Sequence, residues 1–199
     1  MDISDLIALD SLWQKTHSYV VAQIMEGYQR DTGSVLELGP FAGGIALELA
    51  RLYPRLEITI ADESSEVVSY LKKKVSDSGV TQAIAVKKTD LNLLAFSDSQ
   101  FDLVIFRGAV FFLGKKESLL REIFRVLKAG GMAFVGGGHG KGVPQEIVSQ
   151  IAGELRKLHR KLGGKWLSVR EVEEIVRSSQ LADNCQIIEE GGVWLNIRK

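Results

Sequence analysis

VLELGPFAGGIALELARLYP, residues 35–54, decides how the rest of the chain is read. An apolar run, Val35 to Leu38, leads into a glycine-rich turn. An amphipathic run follows in which Ile45, Leu49 and Leu52 recur at helical spacing. Strand, turn, helix is where α/β proteins hold nucleotide-like ligands, because turn backbone and helix N-terminus meet the ligand together. Phe41 stands where a dinucleotide fingerprint has its middle glycine. That glycine lets backbone approach a pyrophosphate, so this loop suits a ligand without one. Glu37, near the end of the strand, offers a carboxylate to a cationic ligand group.

Outward from this stretch, strand-like and helical segments alternate. Ser4 to about Gln29 carries a helical stripe, Leu6, Leu9, Leu12, Trp13, Val20, Val21 and Ile24, with one break near Lys15. Beyond the opening motif, "LEITIAD" reads as a strand and Ser64 to Asp77 as a helix that Ser64 or Ser65 caps and Ser78-Gly79 stops. "TQAIAVKK" and "FDLVIF" are further strands separated by the polar turn "SDSQ". Glu117 to Lys128 reads as a helix with Leu120, Ile123, Phe124 and Leu127 inward, ended by "AGG", and "MAFVGG" as the next strand. Pro144 to about Leu162 and Val169 to Ser179 read as helices. "CQIIEE" and "VWLNIRK", joined by Gly191-Gly192, make a hairpin, whose short turn forces antiparallel pairing. The expected fold is α/β: a single doubly wound, Rossmann-like, mostly parallel seven-stranded sheet ending in an antiparallel hairpin.

Composition narrows the function. The chain has 199 residues, 45% of them hydrophobic, enough for one substantial core and short for two domains. Lys+Arg and Asp+Glu both number 25, and no long run of one sign invites nucleic acid or an anionic membrane. The acidic start "MDISDLIALD" and the lack of any run of about 18 apolar residues predict a soluble cytoplasmic protein. Cys185 alone allows neither an internal disulfide nor a thiolate zinc site. His17, His139 and His159 are far apart in sequence, so no metal site is expected. Neither a G-x-S-x-G elbow nor a GK[ST] phosphate loop is present. S-adenosylmethionine, an adenosine joined to an amino acid through a cationic sulfonium, is a ligand without a pyrophosphate that fits the loop.

At this point the residues resemble the class I S-adenosylmethionine-dependent methyltransferases. Glu37, Gly39 and Gly43 match that family's first motif, an acid followed by glycines at alternating positions, with Phe41 departing from the middle glycine. "REIFRVLKAGGMAFVGG" is similar to the family's helix, glycine turn and fifth strand, Ala129 replacing a common proline. The resemblance covers residues 33–138, and the hairpin matches the family's reversed seventh strand. It implies that Pro40 and Phe41 border the cofactor with the glycines. It further implies that Asp62 in "ITIADES", with Glu63 beside it, holds the ribose hydroxyls, that Asp90 accepts from the adenine amino group, that Leu91 backbone meets the ring, and that Arg107 adjoins the cofactor.

By the same resemblance the chain, 1–199, is one methyltransferase domain: an N-terminal helical lid (1–30), a cofactor-binding core (33–138), then substrate-side helices and the terminal hairpin (139–199). Trp13, His17 and Tyr19 are the lid's substrate-side candidates. The cofactor is S-adenosylmethionine and the product S-adenosylhomocysteine. "FRGAVFF" replaces the Asn/Asp-Pro-Pro-aromatic motif of members that methylate nucleic-acid amino groups, and one cysteine does not suit the arsenic-methylating members. A small-molecule acceptor is therefore expected. His139, in the glycine-rich "GGGHGKG" (136–142), is the candidate general base, an imidazole whose ordinary pKa is about 6.5. Two other readings stand beside this one: a non-catalytic module of the same fold that binds S-adenosylmethionine or a partner, and a nicotinamide oxidoreductase, which Phe41 and the antiparallel tail disfavour. Asp62 and Asp90 also read as turn or helix caps.

Overall fold

In the computed structural model, residues 2–108, 117–161 and 167–199 are described; the part of "FRGAVFF" beyond Gly108 and the Leu162 end of the sixth helix lie outside them. The N-terminal stripe forms two helices, α1 (Ile3–Trp13) and α2 (His17–Tyr28), hinged by a single 3-10 turn at Gln14–Thr16. The expected break near Lys15 falls in that turn. Asp2 caps α1 by accepting from the Ser4 N–H, and Ser64 caps α4 (Ser65–Asp77) by accepting from Val67. α3 is Gly44–Leu52, α5 Glu117–Val126, α6 Gln145–Lys161 and α7 Val169–Ser178, the last opened by a capping box between Ser168 and Glu171.

The strands are β1 (Gly33–Leu38), β2 (Leu56–Asp62), β3 (Ile84–Lys88), β4 (Phe101–Arg107), β5 (Leu127–Gly138), β6 (Cys185–Ile188) and β7 (Gly192–Arg198). They form one sheet in the order β3-β2-β1-β4-β5-β7-β6, parallel from β3 to β5, with β7 antiparallel to both β5 and β6. The chain winds outward from β1 to β3, then returns to β4 on the other side of β1. The switch point, where open α/β sheets leave a crevice at the strands' carboxyl ends, lies between β1 and β4.

Side-chain alternation divides the core between the two faces of the sheet. Val35, Ile58, Ile60, Leu103, Ile105 and Phe134 pack with residues of α1 to α4. Leu36, Leu38, Val104, Phe106 and Val135 pack with residues of α5 and α7 on the other face. A third, smaller cluster, Leu9, Trp13, Phe41, Ile151 and Leu155, joins α1, the glycine loop and α6.

Three local expectations are corrected. Leu52 is 55% exposed; the helix ends there, and its buried face is made by Ile45, Ala46, Leu47, Leu49 and Ala50. Leu127 and Lys128 are strand, because Leu127 pairs with Phe101 before the ladder resumes at Met132 and Leu103 across a bulge. Gly136 to Gly138 belong to β5 and pair with β7, so "GGGHGKG" begins inside the sheet and not past its edge.

Candidate active site

The turn after β1 is closed by the Ala42 N–H donating to the Gly39 carbonyl at 3.0 Å, with Pro40 at the position its fixed φ favours. Gly39 and Gly43 have φ of 93° and 94°, a region side chains rarely adopt. Glu37 lies fully buried behind the turn. Its Oε2 accepts from the Gly43 N–H at 2.7 Å and the Ala46 N–H at 2.9 Å, so one carboxylate oxygen secures the loop to the start of α3. Oε1 is buried with no hydrogen-bond partner among the described residues. Burial pushes the Glu37 pKa up to about 7 against the pull of those two N–H donors. The sequence reading missed that Glu37 fastens the loop to the start of α3.

Asp62, 1% exposed, ends β2 beside the turn; its Oδ1 accepts from the Ser64 N–H at 2.7 Å, and the Ala61 carbonyl accepts from Gly39. The acid and the turn are thus tied together. Glu63 is exposed. Asp90, also exposed, spends its Oδ1 on the Asn92 backbone and side-chain N–H groups, the Asx turn that a capping role implies. Leu91 is buried in the face covered by α5 and α7. These residues lie toward the β2–β3 edge.

A second group gathers on the β4–β5 side. Arg107, the last residue of β4, is 3% exposed, and its Nη2 donates to Thr16 Oγ1 at 2.8 Å and to the Gly138 carbonyl at 3.1 Å. Its guanidinium lies 4.0 Å from the ring centre of Trp13, which is 5.3 Å from the His139 ring. Burial lowers the Arg107 pKa to about 9, with Glu37 opposing through space. His17 packs its ring against Gly44, where any side chain would overlap it; burial, then Arg107 and Lys74, lower its pKa to about 2 and keep it neutral. The pKa of His139 is likewise lowered by burial and by Arg107, and its Nδ1 is buried without a hydrogen-bond partner among the described residues.

Phe41 seats its ring against Gly108 and joins the cluster of Leu9, Trp13, Ile151 and Leu155. Of the lid candidates, Trp13 and His17 reach this group. Tyr19 meets it only through backbone lying against Gly140. Thr16, Asp10 and Lys74 were missed: Asp10 accepts from Lys74 Nζ at 2.6 Å and from the Tyr70 hydroxyl at 2.9 Å, which fastens α1 to α4 beside the loop. Nothing local in the sequence marks these partners, since each lies on a different element. Among the described residues no group of three or more His, Cys, Asp or Glu side chains is placed to hold a metal ion, and no helix is long and apolar enough to cross a membrane.

Comparison with known proteins agrees with the fold. The family model described as a methyltransferase domain matches residues 35–131. A ubiquinone/menaquinone biosynthesis C-methyltransferase, UbiE, of Desulfotalea psychrophila is 32% identical over 122 residues, 61% of this chain and 46% of the relative. The chain spans about half the length of the curated relatives it matches. Among solved structures, a candidate S-adenosylmethionine-dependent methyltransferase from Methanococcus maripaludis superposes with a TM-score of 0.81 at 24% identity, covering 98% of this chain and 91% of that one. PigF, solved with S-adenosylhomocysteine, gives 0.66 at 19% identity over 90% and 54% of the two chains. At these identities the structures speak for the fold alone. Over residues 35–131 the chain is similar to the methyltransferase-domain family, and its fold is similar to that of the solved methyltransferase structures.

Proposed function

We propose that the chain binds S-adenosylmethionine at the β1–β4 switch point and transfers its methyl group to a small-molecule acceptor. The observation that carries this reading is Asp62: a buried acid at the tip of β2, tied to the glycine turn after β1, where ribose hydroxyls would lie. The donor set fits the group. Asp62 suits two hydroxyls, the buried Oε1 of Glu37 suits the cationic amino-acid half, and the Gly39–Ala42 backbone lies between them. Glu63, Asp90 and Leu91 line the adenine side of the proposal, and Pro40, Phe41 and Gly43 contribute through backbone.

When bound, the cofactor supplies an electrophilic sulfonium methyl, and the chain's own contribution is positioning. Holding an acceptor in line with that carbon is worth up to about 7–11 kcal/mol of the barrier. Trp13, Phe41 and the rest of the small lid cluster exclude water from above. His139, neutral because burial lowers its pKa, is in the right protonation state to take an acceptor proton, although the same burial weakens it as a base. The whole chain works as one domain in this reading, lid 1–30, core 33–138 and acceptor side 139–199. A reducing cytoplasm suits the free thiol of Cys185.

Titration calorimetry with S-adenosylmethionine, S-adenosylhomocysteine and NAD tests the proposal. Binding of the first two and not the third is expected. Asp62→Ala removes charge-assisted bonds worth about 1.5–3 kcal/mol each, so affinity should fall roughly ten- to a hundredfold. A loss under about twofold, against that expectation, refutes the ribose role. Turnover of an acceptor library separates the enzyme from a non-catalytic binding module.

A further inference from the structure

A buried arginine is satisfied only when its five N–H groups meet acceptors, and its charge is tolerated only when something balances it. Arg107 meets neither condition from within the described residues. Thr16 and Gly138 take Nη2, while Nε and Nη1 are buried with no hydrogen-bond partner there. The acids that reach it through space are Glu37 and Asp10. Glu37 is engaged with Gly43 and Ala46, Asp10 with Lys74 and Tyr70, and neither forms an ion pair with the guanidinium. The flanking imidazoles of His17 and His139 are held neutral.

Position tells which ligand is concerned. Arg107 is paired in register with Gly136 on β5 and bonded to Gly138, whereas Asp62 ends β2 on the other side of β1. The guanidinium therefore stands on the β4–β5 side of the crevice, away from the adenosine side, with Trp13 covering one of its faces and His139 next to Trp13.

We propose that Arg107 is the receptor for a carboxylate borne by the methyl acceptor, so that the substrate class is a small organic acid with an apolar body lying along Trp13. This rests on the methyltransferase reading of the site. A carboxylate accepts the N–H groups of Nε and Nη1 and neutralises the buried cation, and Thr16 with Gly138 fixes the guanidinium through Nη2 so that its planar donors are pre-aimed. The same chemistry could come from the methionyl carboxylate of the cofactor, and the experiment separates the two.

Benzoate, phenylacetate, hexanoate and succinate, each beside its neutral amide, are titrated into the free protein and into the protein saturated with S-adenosylhomocysteine. At least one acid should bind about tenfold or more tightly than its amide, the difference between a charge-assisted and an ordinary hydrogen-bonded partner. Arg107→Lys keeps the charge but loses the fork, and should weaken that acid about tenfold while S-adenosylhomocysteine affinity stays within about threefold. If no acid outbinds its amide in the parent protein, the proposal falls, whatever becomes of the variant. If Arg107→Lys instead weakens S-adenosylhomocysteine and leaves the acids untouched, the arginine serves the cofactor and the proposal falls too. Absence of S-adenosylhomocysteine binding in the parent overturns the methyltransferase reading separately, and the titration of the free protein then decides the anion site alone.

Discussion

Glu37 carries a carboxylate to the fully buried end of β1, where it accepts two backbone N–H groups and leaves its second oxygen bare among the described residues. Its folded pKa, about 7 against an ordinary 4.5, means that the folded protein holds this proton more tightly than the unfolded chain does. The contribution to stability is therefore complete below pH 4.5 and lost as pH rises through about 7, at most about 3 kcal/mol. Glu37→Gln cannot ionise, so urea unfolding at about pH 5 and about pH 8 should show the variant gaining on the parent as pH rises. A stability gap that stays constant between those values would mean that Glu37 ionises as an exposed acid does. At this scale the sequence was legible where chemistry and strand end coincide, as at Glu37 and Asp62. It was silent on Arg107 meeting Trp13 and Thr16, because that encounter depends on how α1 and its 3-10 turn fold back over the sheet.

Helix α1 and the turn after it, the proposed lid, are held by contacts of two kinds, the apolar cluster around Trp13 and Phe41 and a set of charged ties. Asp10 binds Lys74 and Tyr70 on α4, Asp5 accepts from Lys161 on α6 at 2.7 Å, and Lys15 donates to Gln150 at 3.1 Å. Asp10 and Lys74 are mostly shielded, with side chains 12% and 18% exposed, so this tie is the one that resists screening. Asp10→Asn weakens the partnership of a shielded ammonium at a local cost of about 1–3 kcal/mol. Amide hydrogen exchange should then quicken over residues 3–13 while β1, β4 and β5 keep their protection. Uniform acceleration across the chain would show that the tie supports the whole fold and not the lid. The helices' stripes and caps were readable from local periodicity, including the break between α1 and α2. The early start of β5 was not: "LKAGG" looks like a helix end, yet Gly130 donates to the Lys199 carbonyl and Lys199 to that of Gly131, so the carboxyl terminus decides its geometry.

At the scale of the whole molecule, strand-helix alternation announced the parallel sheet and the short Gly191-Gly192 turn announced its antiparallel end, since both follow from connection length. The sheet order places β7 between β5 and β6, so the last strand is interior and the chain's two ends share one core. Trp194 on β7 is fully buried, stacks on Phe134 of β5 at 4.6 Å between ring centres, and packs in the same cluster as Leu6, Val20 and Ile24 from the lid and Ile45 from α3. If residues 1–199 fold as one cooperative unit, a hole cut at Trp194 must be felt at the far strands. Trp194→Ala removes the largest fully buried side chain among the described residues, at about 3–5 kcal/mol, which for a chain of this length lowers the melting temperature by roughly 6–20 °C. Calorimetry should show a single transition displaced to lower temperature, with far-UV circular dichroism and the fluorescence of the two remaining tryptophans, Trp13 and Trp166, changing together. S-adenosylhomocysteine should raise the transition of the variant by as much as it raises the parent's, because the proposed contacts Glu37 and Asp62 sit on β1 and β2, whereas Trp194 is on β7 and stacks on Phe134 of β5. Two separated transitions, one moved and one unmoved, would instead divide the chain into independently melting parts and overturn the one-domain reading.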